Sequence, residues 1–324
     1  MKRTMLALAL LSVATAAHAE NGVLPMAAKP EDVGLSSAQL KRLEEVTQKH
    51  VDSGLVPGAV MLVARHGKIA WMSVLGKRDP AAGDAMKPDS IFRIYSMTKP
   101  IVSVAVMQMV EEGRLQVSDP VSKFIPEIGK MKVGSEKIVD GRAVLQLSDP
   151  ERAMTVQDLL RHTSGLTYGA PGANQLKQSY LDLNVNDRNQ TVAEMADKLA
   201  KLSLVYQPGT TWEYSMSTDV LGRVVEVASG MPLDKFIEER ITKPLKMGET
   251  GFEVGPDKKA RGDKPMKEGP KNELPSITST SRPNTSVDTP YSQRVPGENF
   301  SAKVESLATN SSLLMARLPI LAST

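Results

Sequence analysis

Ser96 and Lys99 stand three residues apart at the head of an apolar run, Ile101-Val102-Ser103-Val104-Ala105-Val106-Met107-Gln108-Met109-Val110. A serine hydroxyl is a weak nucleophile at neutral pH and needs a base within hydrogen-bond reach. Three residues is close to one helical turn, so a helix opening here brings Ser96 and Lys99 onto one face and into contact. A lysine whose charge is disfavoured by burial or by a neighbouring cation can serve as that base. Ser-x-x-Lys alone also describes many solvated surface helices, but the apolar run behind Lys99-Pro100 heads into a core.

The second candidate is Tyr214, in Trp212-Glu213-Tyr214-Ser215-Met216-Ser217-Thr218-Asp219-Val220-Leu221-Gly222. It closes the loop Gln207-Pro208-Gly209-Thr210 and precedes a helix. A phenol beside a lysine ammonium loses its proton more easily. It could take the serine proton and later return it to a leaving group. The plainer reading is a buried structural tyrosine.

The elements that must hold these groups are legible as caps, periodicities and stops. Ser36 with Gln39 resembles a capping box, and the helix it opens runs through Leu40, Leu43, Val46 and Val51 to a stop at Gly54. Ala59–Ala64 and Ile69–Leu75 read as two strands joined by a turn at Arg65–Lys68. The nucleophile helix ends at Gly113, and residues 115–121 turn into a short helix. Thr155–Asp158 caps a helix that ends at His162–Gly165. Thr191–Glu194 caps another that reaches Leu202. A third opens at Ser217–Asp219 and stops at Gly230, and the last clear helix spans Leu233 to Ile241 before Pro244. From about residue 253 the chain is rich in Ser, Thr, Pro, Asn, Lys and Glu, with only the weak apolar stretch Leu313–Leu321. Such a composition buries too little apolar surface to offset ordering entropy, so residues 253–324 are expected to be a largely disordered tail.

Composition excludes several function classes. The 324 residues hold 40 Lys and Arg, 37 Asp and Glu, four His and no Cys. There is no thiolate nucleophile, no cysteine metal site and no His-Glu-x-x-His, so no metal is expected. Walker A, Gly-x-Gly-x-x-Gly and Gly-x-Ser-x-Gly motifs are absent, and no cofactor is implied. Lys2 and Arg3, the apolar run Met5–Ala17 and Ala17-His18-Ala19 form the pattern of a secretory leader over residues 1–19. The run is short for a membrane anchor, and no other stretch reads as a membrane span. A periplasmic or secreted location follows as an expectation. Losing Lys2 and Arg3 with the leader brings the basic count to within one of the acidic count. No basic stripe points to nucleic acid.

Four segments in order resemble the serine β-lactamase-related family: class C β-lactamases, DD-peptidases and family VIII carboxylesterases. They are Phe92-Arg93-Ile94-Tyr95-Ser96-Met97-Thr98-Lys99-Pro100, Leu159-Leu160-Arg161-His162-Thr163-Ser164-Gly165-Leu166, the Tyr214–Gly222 segment and Pro244-Leu245-Lys246-Met247-Gly248-Glu249-Thr250-Gly251-Phe252. The resemblance runs from about Leu35 to Phe252, within a hydrolase domain expected over residues 20–252. It implies an α/β (α+β), β-lactamase/transpeptidase-like fold, with an antiparallel sheet flanked by helices plus an all-helical subdomain. It further implies Ser96 as the acylated nucleophile, Lys99 as its base partner and Tyr214 as general base and acid. His162 reads as a loop-fixing or capping residue. A Ser-His-Asp triad is the alternative, and no aspartate partner for it can be picked out.

Two departures shape the expected function. The β-lactamases carry Tyr-x-Asn where this chain has Met216, and a thioether offers no amide-like hydrogen bonding. That favours ester over lactam substrates. The family's later Lys/His-Thr-Gly strand, and the esterases' Trp-x-Gly alternative, have no match after Tyr214. The family's later sheet strands and final helix are not recognisable in the sequence either, a pattern that truncation or a shifted reading frame after about Pro283 would produce. The expected function is therefore an exported serine hydrolase, a carboxylesterase acting on a small-molecule ester through an acyl-enzyme. A β-lactamase or DD-peptidase-like amide hydrolase is one alternative. A non-catalytic binding relative, or a defective product of a broken gene, is the other.

Overall fold

The computed structural model describes residues 24–187 and 189–262 and the backbone of 315–316. The expected leader at 1–19, and the expected tail beyond residue 262 apart from that short backbone segment, lie outside the described residues. Two compact units divide the chain after Asp89.

The first unit is a helix on an antiparallel hairpin. Ser36 accepts the Gln39 backbone N–H at the start of α1 (Ser37–Asp52). This is the orphan donor that a serine cap satisfies. Strands β1 (Gly58–Arg65) and β2 (Lys68–Asp79) pair in the register Val60↔Val74 and Leu62↔Met72, and the short β3 (Asp84–Ala85) extends the sheet from β2. The turn uses left-handed backbone at His66 (φ 52°) and Gly67 (φ 69°), the twist that a two-residue hairpin connection requires. Leu40 from α1 and Ile69 and Ala70 from β2 are buried in this unit.

The second unit carries the rest. After β4 (Phe92–Arg93), a single 3₁₀ turn, Tyr95–Met97, leads into α2 (Thr98–Glu111). The sequence places Ser96 at the helix start; the structure places it in the tighter turn just before. Strands β5 (Val133–Val139) and β6 (Arg142–Ser148) form a hairpin where the sequence raised no expectation of strands. Helices α3 (Val156–Leu160), α4 (Gln175–Asp182), α5 (Val192–Leu199), α6 (Ser217–Ser229) and α7 (Leu233–Ile237) follow. The expected helix to Ile241 becomes a π-helical segment, Glu238–Thr242, after α7. Finally β7 (Met315–Ala316) pairs with β4.

The core of the second unit forms where α2 and α6 cross. Val102, Ala105, Val106 and Met109 from α2 meet Val220, Leu221, Val224 and Val225 from α6 in one buried cluster, which Phe236 and Ile237 of α7 extend. Each of the larger side chains, Ala105 aside, stabilises the fold by roughly 1.5–3 kcal/mol when removed from water. This packing holds the first turns of α2 and α6 against one another, and those turns carry the candidate chemistry. Residues 253–262, at the start of the polar region, are folded: the Ile91 N–H donates to the Arg261 carbonyl at 2.8 Å, and Arg261 pairs with Glu249 at 2.6 Å.

Candidate active site

Ser96, Lys99 and Tyr214 converge. Lys99 Nζ donates to Ser96 Oγ at 3.3 Å, and the Tyr214 hydroxyl donates to the same oxygen at 2.6 Å. The Lys99 ammonium also lies 4.7 Å from the centre of the Tyr214 ring and 5.7 Å from that of Tyr168. Ser96 owes its position to local strain. Tyr95 holds φ at 41°, a left-handed value that costs a bulky residue of order 1–3 kcal/mol. The left-handed residue lies just before Ser96, and the 3₁₀ turn Tyr95–Met97 runs directly into α2, so Ser96 and Lys99 fall one turn apart and meet.

Tyr214 is placed by the loop that precedes α6. The His162 carbonyl accepts the Glu213 N–H at 2.9 Å, and His162 Nδ1 accepts the Ser215 N–H at 3.3 Å. Glu213 Oε1 in turn accepts Lys177 Nζ at 2.7 Å and the Thr167 hydroxyl at 3.0 Å. Beneath them a buried chain of hydroxyls, Ser164–Ser217–Ser215, spans 2.7 Å at each link. Gly165 lets the loop lie this close. Its φ is 84°, and a Cβ there would sit 2.2 Å from the Tyr206 carbonyl oxygen. The loop-fixing reading of His162 describes what this ring does. Its Nδ1 faces Ser215, and it packs against Tyr214 at 5.0 Å and Trp212 at 6.3 Å between ring centres.

Electrostatics sharpen the picture. Burial, and then the Lys99 charge, push the His162 imidazole down to about 4. A neutral ring with Nδ1 as acceptor carries its proton on Nε2. Asp219, in the first turn of α6, is the reverse case: burial pushes its carboxyl up to about 7, against the pull of Lys99 and the Tyr168 hydroxyl. From the sequence Asp219 reads only as part of a helix opening, and nothing marks Tyr168. The available signal was an ionisable residue next to the apolar stripe Val220, Leu221, Val224.

The structure corrects one inference. Met216 is 1 % exposed and belongs to the core of the second unit, so its thioether is buried rather than offered to solvent. A side chain at this position is reached only from within the core, which weakens Met216 as a guide to substrate recognition. Trp212, by contrast, is 55 % exposed and stacks on Tyr214 with ring centres 6.3 Å apart, which places an apolar plate beside the candidate base.

Comparison with known proteins identifies the lineage. The family model described as Beta-lactamase matches residues 43–317, which passes well beyond Phe252. This chain belongs to the beta-lactamase family. Esterase EstB of Burkholderia gladioli, which shares the family likeness, is 36 % identical over 230 residues, 69 % of this chain and 54 % of that enzyme. A putative D-alanyl-D-alanine carboxypeptidase of Salmonella agona is 28 % identical over 263 residues, 78 % of this chain and 56 % of the relative. Among solved structures, EstCE1, described as a hydrolase with promiscuous acyltransferase activity, superposes with a TM-score of 0.60 at 28 % identity, over 74 % of this chain and 62 % of its own. The fold is thus the β-lactamase/transpeptidase-like fold of a serine-hydrolase family whose relatives bear esterase and peptidase names. The chain spans little more than half the length of these two curated relatives.

Proposed function

We propose that this chain is an exported serine carboxylesterase that works through an acyl-enzyme on Ser96. The observation that carries this reading is the pair of hydrogen bonds converging on Ser96 Oγ, from Lys99 at 3.3 Å and Tyr214 at 2.6 Å. In the resting arrangement the phenol donates to the serine. In the reacting form the phenol has released its proton to solvent, and the direction reverses so that the serine hydroxyl donates to the Tyr214 phenolate. Ser96 Oγ then attacks the ester carbonyl while its proton passes to the Tyr214 oxygen. Lys99 stays as a donor beside both oxygens. Collapse of the tetrahedral adduct expels the alcohol, which takes the proton from Tyr214. Water repeats the sequence on the acyl-enzyme, releasing the acid and restoring Ser96.

The ester preference rests on the esterase relatives and on the apolar plate of Trp212 beside Tyr214, since Met216 is buried in the core. Small-molecule esters are the proposed substrates. Export rests on the leader pattern at residues 1–19.

The test is intact-mass spectrometry of the protein after exposure to a fluorophosphonate, beside Ser96→Ala. A single adduct on the wild type and none on the variant supports the reading. No adduct on either protein overturns it. Turnover of a chromogenic cephalosporin in preference to a short-chain nitrophenyl ester would replace the esterase assignment with a lactamase one.

A further inference from the structure

The first turns of α2 and α6 line a small, partly open cavity of about 20 Å³ that includes Lys99 in its wall. Thr98, Lys99, Thr218 and Asp219 supply its polar wall, and Val192, Leu233 and Phe252 are among its apolar lining. Two polar atoms here, Thr98 Oγ1 and Asp219 Oδ2, are buried without a hydrogen-bond partner among the described residues. A carboxylate oxygen in such a place is costly unless a charge compensates it. The charge at hand is Lys99, which lines the same cavity and whose other side is turned to Ser96. Burial and nearby charge thus act together on a group that the acyl-transfer steps do not use.

We propose that Asp219 is a positioning residue for acyl transfer, its buried carboxylate serving as the counter-charge that holds the Lys99 ammonium against Ser96. The inference rests on the Ser96 reading above. Its consequence is a division of labour. With a carboxylate behind it, Lys99 remains a charged donor to Ser96 Oγ, and Tyr214 is left to carry the proton. The groups that face Asp219 and Lys99 are few. From α2 comes Lys99 itself, from the loop after α3 come Tyr168 and His162, whose imidazole feels the Lys99 charge, and from the segment before α6 comes Tyr214. The parts of α5 and α7 that reach the cavity are the apolar Val192 and Leu233.

The test follows the rate of fluorophosphonate labelling of the full chain from pH 5 to pH 9, in wild type and Asp219→Asn. Wild-type labelling is expected to rise through a limb centred near pH 7, where Asp219 ionises. His162, held at about 4, does not titrate in that window. Asp219→Asn is expected to lose that limb and to label at least about 10-fold more slowly on the plateau, the scale of one misplaced catalytic group. A purely structural role would slow labelling without moving the pH profile. An Asp219→Asn profile that keeps the limb overturns the inference while leaving the Ser96 reading intact. An unlabelled wild type overturns both. If Asp219→Asn does not fold, the double variant Lys99→Met/Asp219→Asn decides: a cooperative thermal transition regained on removing both charges supports the pairing, and an unfolded double variant overturns it.

Discussion

His162 Nδ1 accepts the backbone N–H of Ser215 at 3.3 Å, while the carbonyl of the same residue accepts the N–H of Glu213 at 2.9 Å. One residue therefore grips the chain on both sides of Tyr214, and it does so with a left-handed backbone, φ 57°. Asparagine tolerates that backbone far better than alanine does. His162→Asn and His162→Ala therefore separate two effects. Losing the acceptor leaves a buried N–H unpaired, a cost of about 1–3 kcal/mol. Alanine adds backbone strain on top. Chemical denaturation should rank wild type above His162→Asn above His162→Ala, and a reversed order would mean the ring does not hold this loop.

The same histidine predicts a pH dependence of stability. Its ordinary value is 6.5 and the folded value is about 4, so between these limits the unfolded chain binds a proton that the folded chain refuses. Stability is therefore lost as pH falls from 6.5 through 4, and His162 contributes no change above 6.5. Asp219 works in the opposite direction. Its folded value, about 7, lies above its ordinary 3.8, so its contribution rises as pH falls through the same range. Thermal midpoints measured from pH 8 to pH 4 should fall less steeply in His162→Asn than in wild type, and more steeply in Asp219→Asn.

Tyr214→Phe removes one oxygen that bonds to Ser96 and leaves the ring stacked between Trp212 and His162. Proton transfer by a positioned side chain contributes about 10²- to 10⁴-fold, so serine labelling should slow by that range. The fold should be nearly unaffected, with stability changed by less than about 1.5 kcal/mol, the net worth of an ordinary hydrogen bond. Labelling at the wild-type rate would remove Tyr214 from the chemistry.

Asp158 anchors the helix before His162. It is 4 % exposed at its side chain, and it accepts Arg152 through both oxygens, at 2.6 and 2.8 Å, as well as the Thr155 N–H and hydroxyl. Burial pushes its carboxyl up, but the Arg152 hydrogen bonds, the Thr155 bonds and the Arg152 charge together hold it below its ordinary value. Stability from this group is present above 3.8 and is lost as pH falls through the folded value. Removing a partner of a fully buried pair costs about 3–5 kcal/mol. Arg152 is 46 % exposed and solvent screens it, so Asp158→Asn should cost about half that. Equilibrium unfolding in urea measures it, and an unchanged midpoint would show that the box adds nothing.

What the sequence revealed, and what it hid, follows from how local each signal is. The Thr155–Asp158 and Thr191–Glu194 caps are four-residue patterns, and both form as reciprocal capping boxes. The Ser96–Lys99 contact needs only one helical turn, and the structure makes it with a 3₁₀ turn where an α-helical start was expected. Tyr214 lies 118 residues from Ser96, and only the resemblance to a family joined the two. The β5–β6 hairpin went unread although Asp140-Gly141 is a strong hairpin signal, and both residues take the left-handed backbone that such a turn demands (φ 51° and 73°). Its strands do not alternate cleanly between apolar and polar residues, because Ile138, Val144, Leu145 and Leu147 remain exposed. Asp219 and Tyr168 went unread for another reason: their roles come from burial beside Lys99, which no short pattern encodes.

Met216 reads one way in the sequence and another in the fold. By sequence it stands where the β-lactamases hold a substrate-facing asparagine, and Met216→Asn would look like a restoration of lactam recognition. In the fold its thioether is 1 % exposed, packed in the α2–α6 core ahead of Ser217. An amide there loses the apolar contacts of the methionine and brings polar atoms into a buried position. Truncating a buried methionine costs about 2–5 kcal/mol, and burying an unpaired amide costs about 1–3 kcal/mol on mutational scales. Met216→Asn should therefore lower the unfolding midpoint strongly and gain no cephalosporin turnover, whereas Met216→Leu, nearly volume-conserving, should cost less than about 1.5 kcal/mol. Calorimetry alongside a chromogenic cephalosporin assay reads both. A stable Met216→Asn variant that hydrolyses the lactam would place the side chain in the substrate site and overturn the buried assignment.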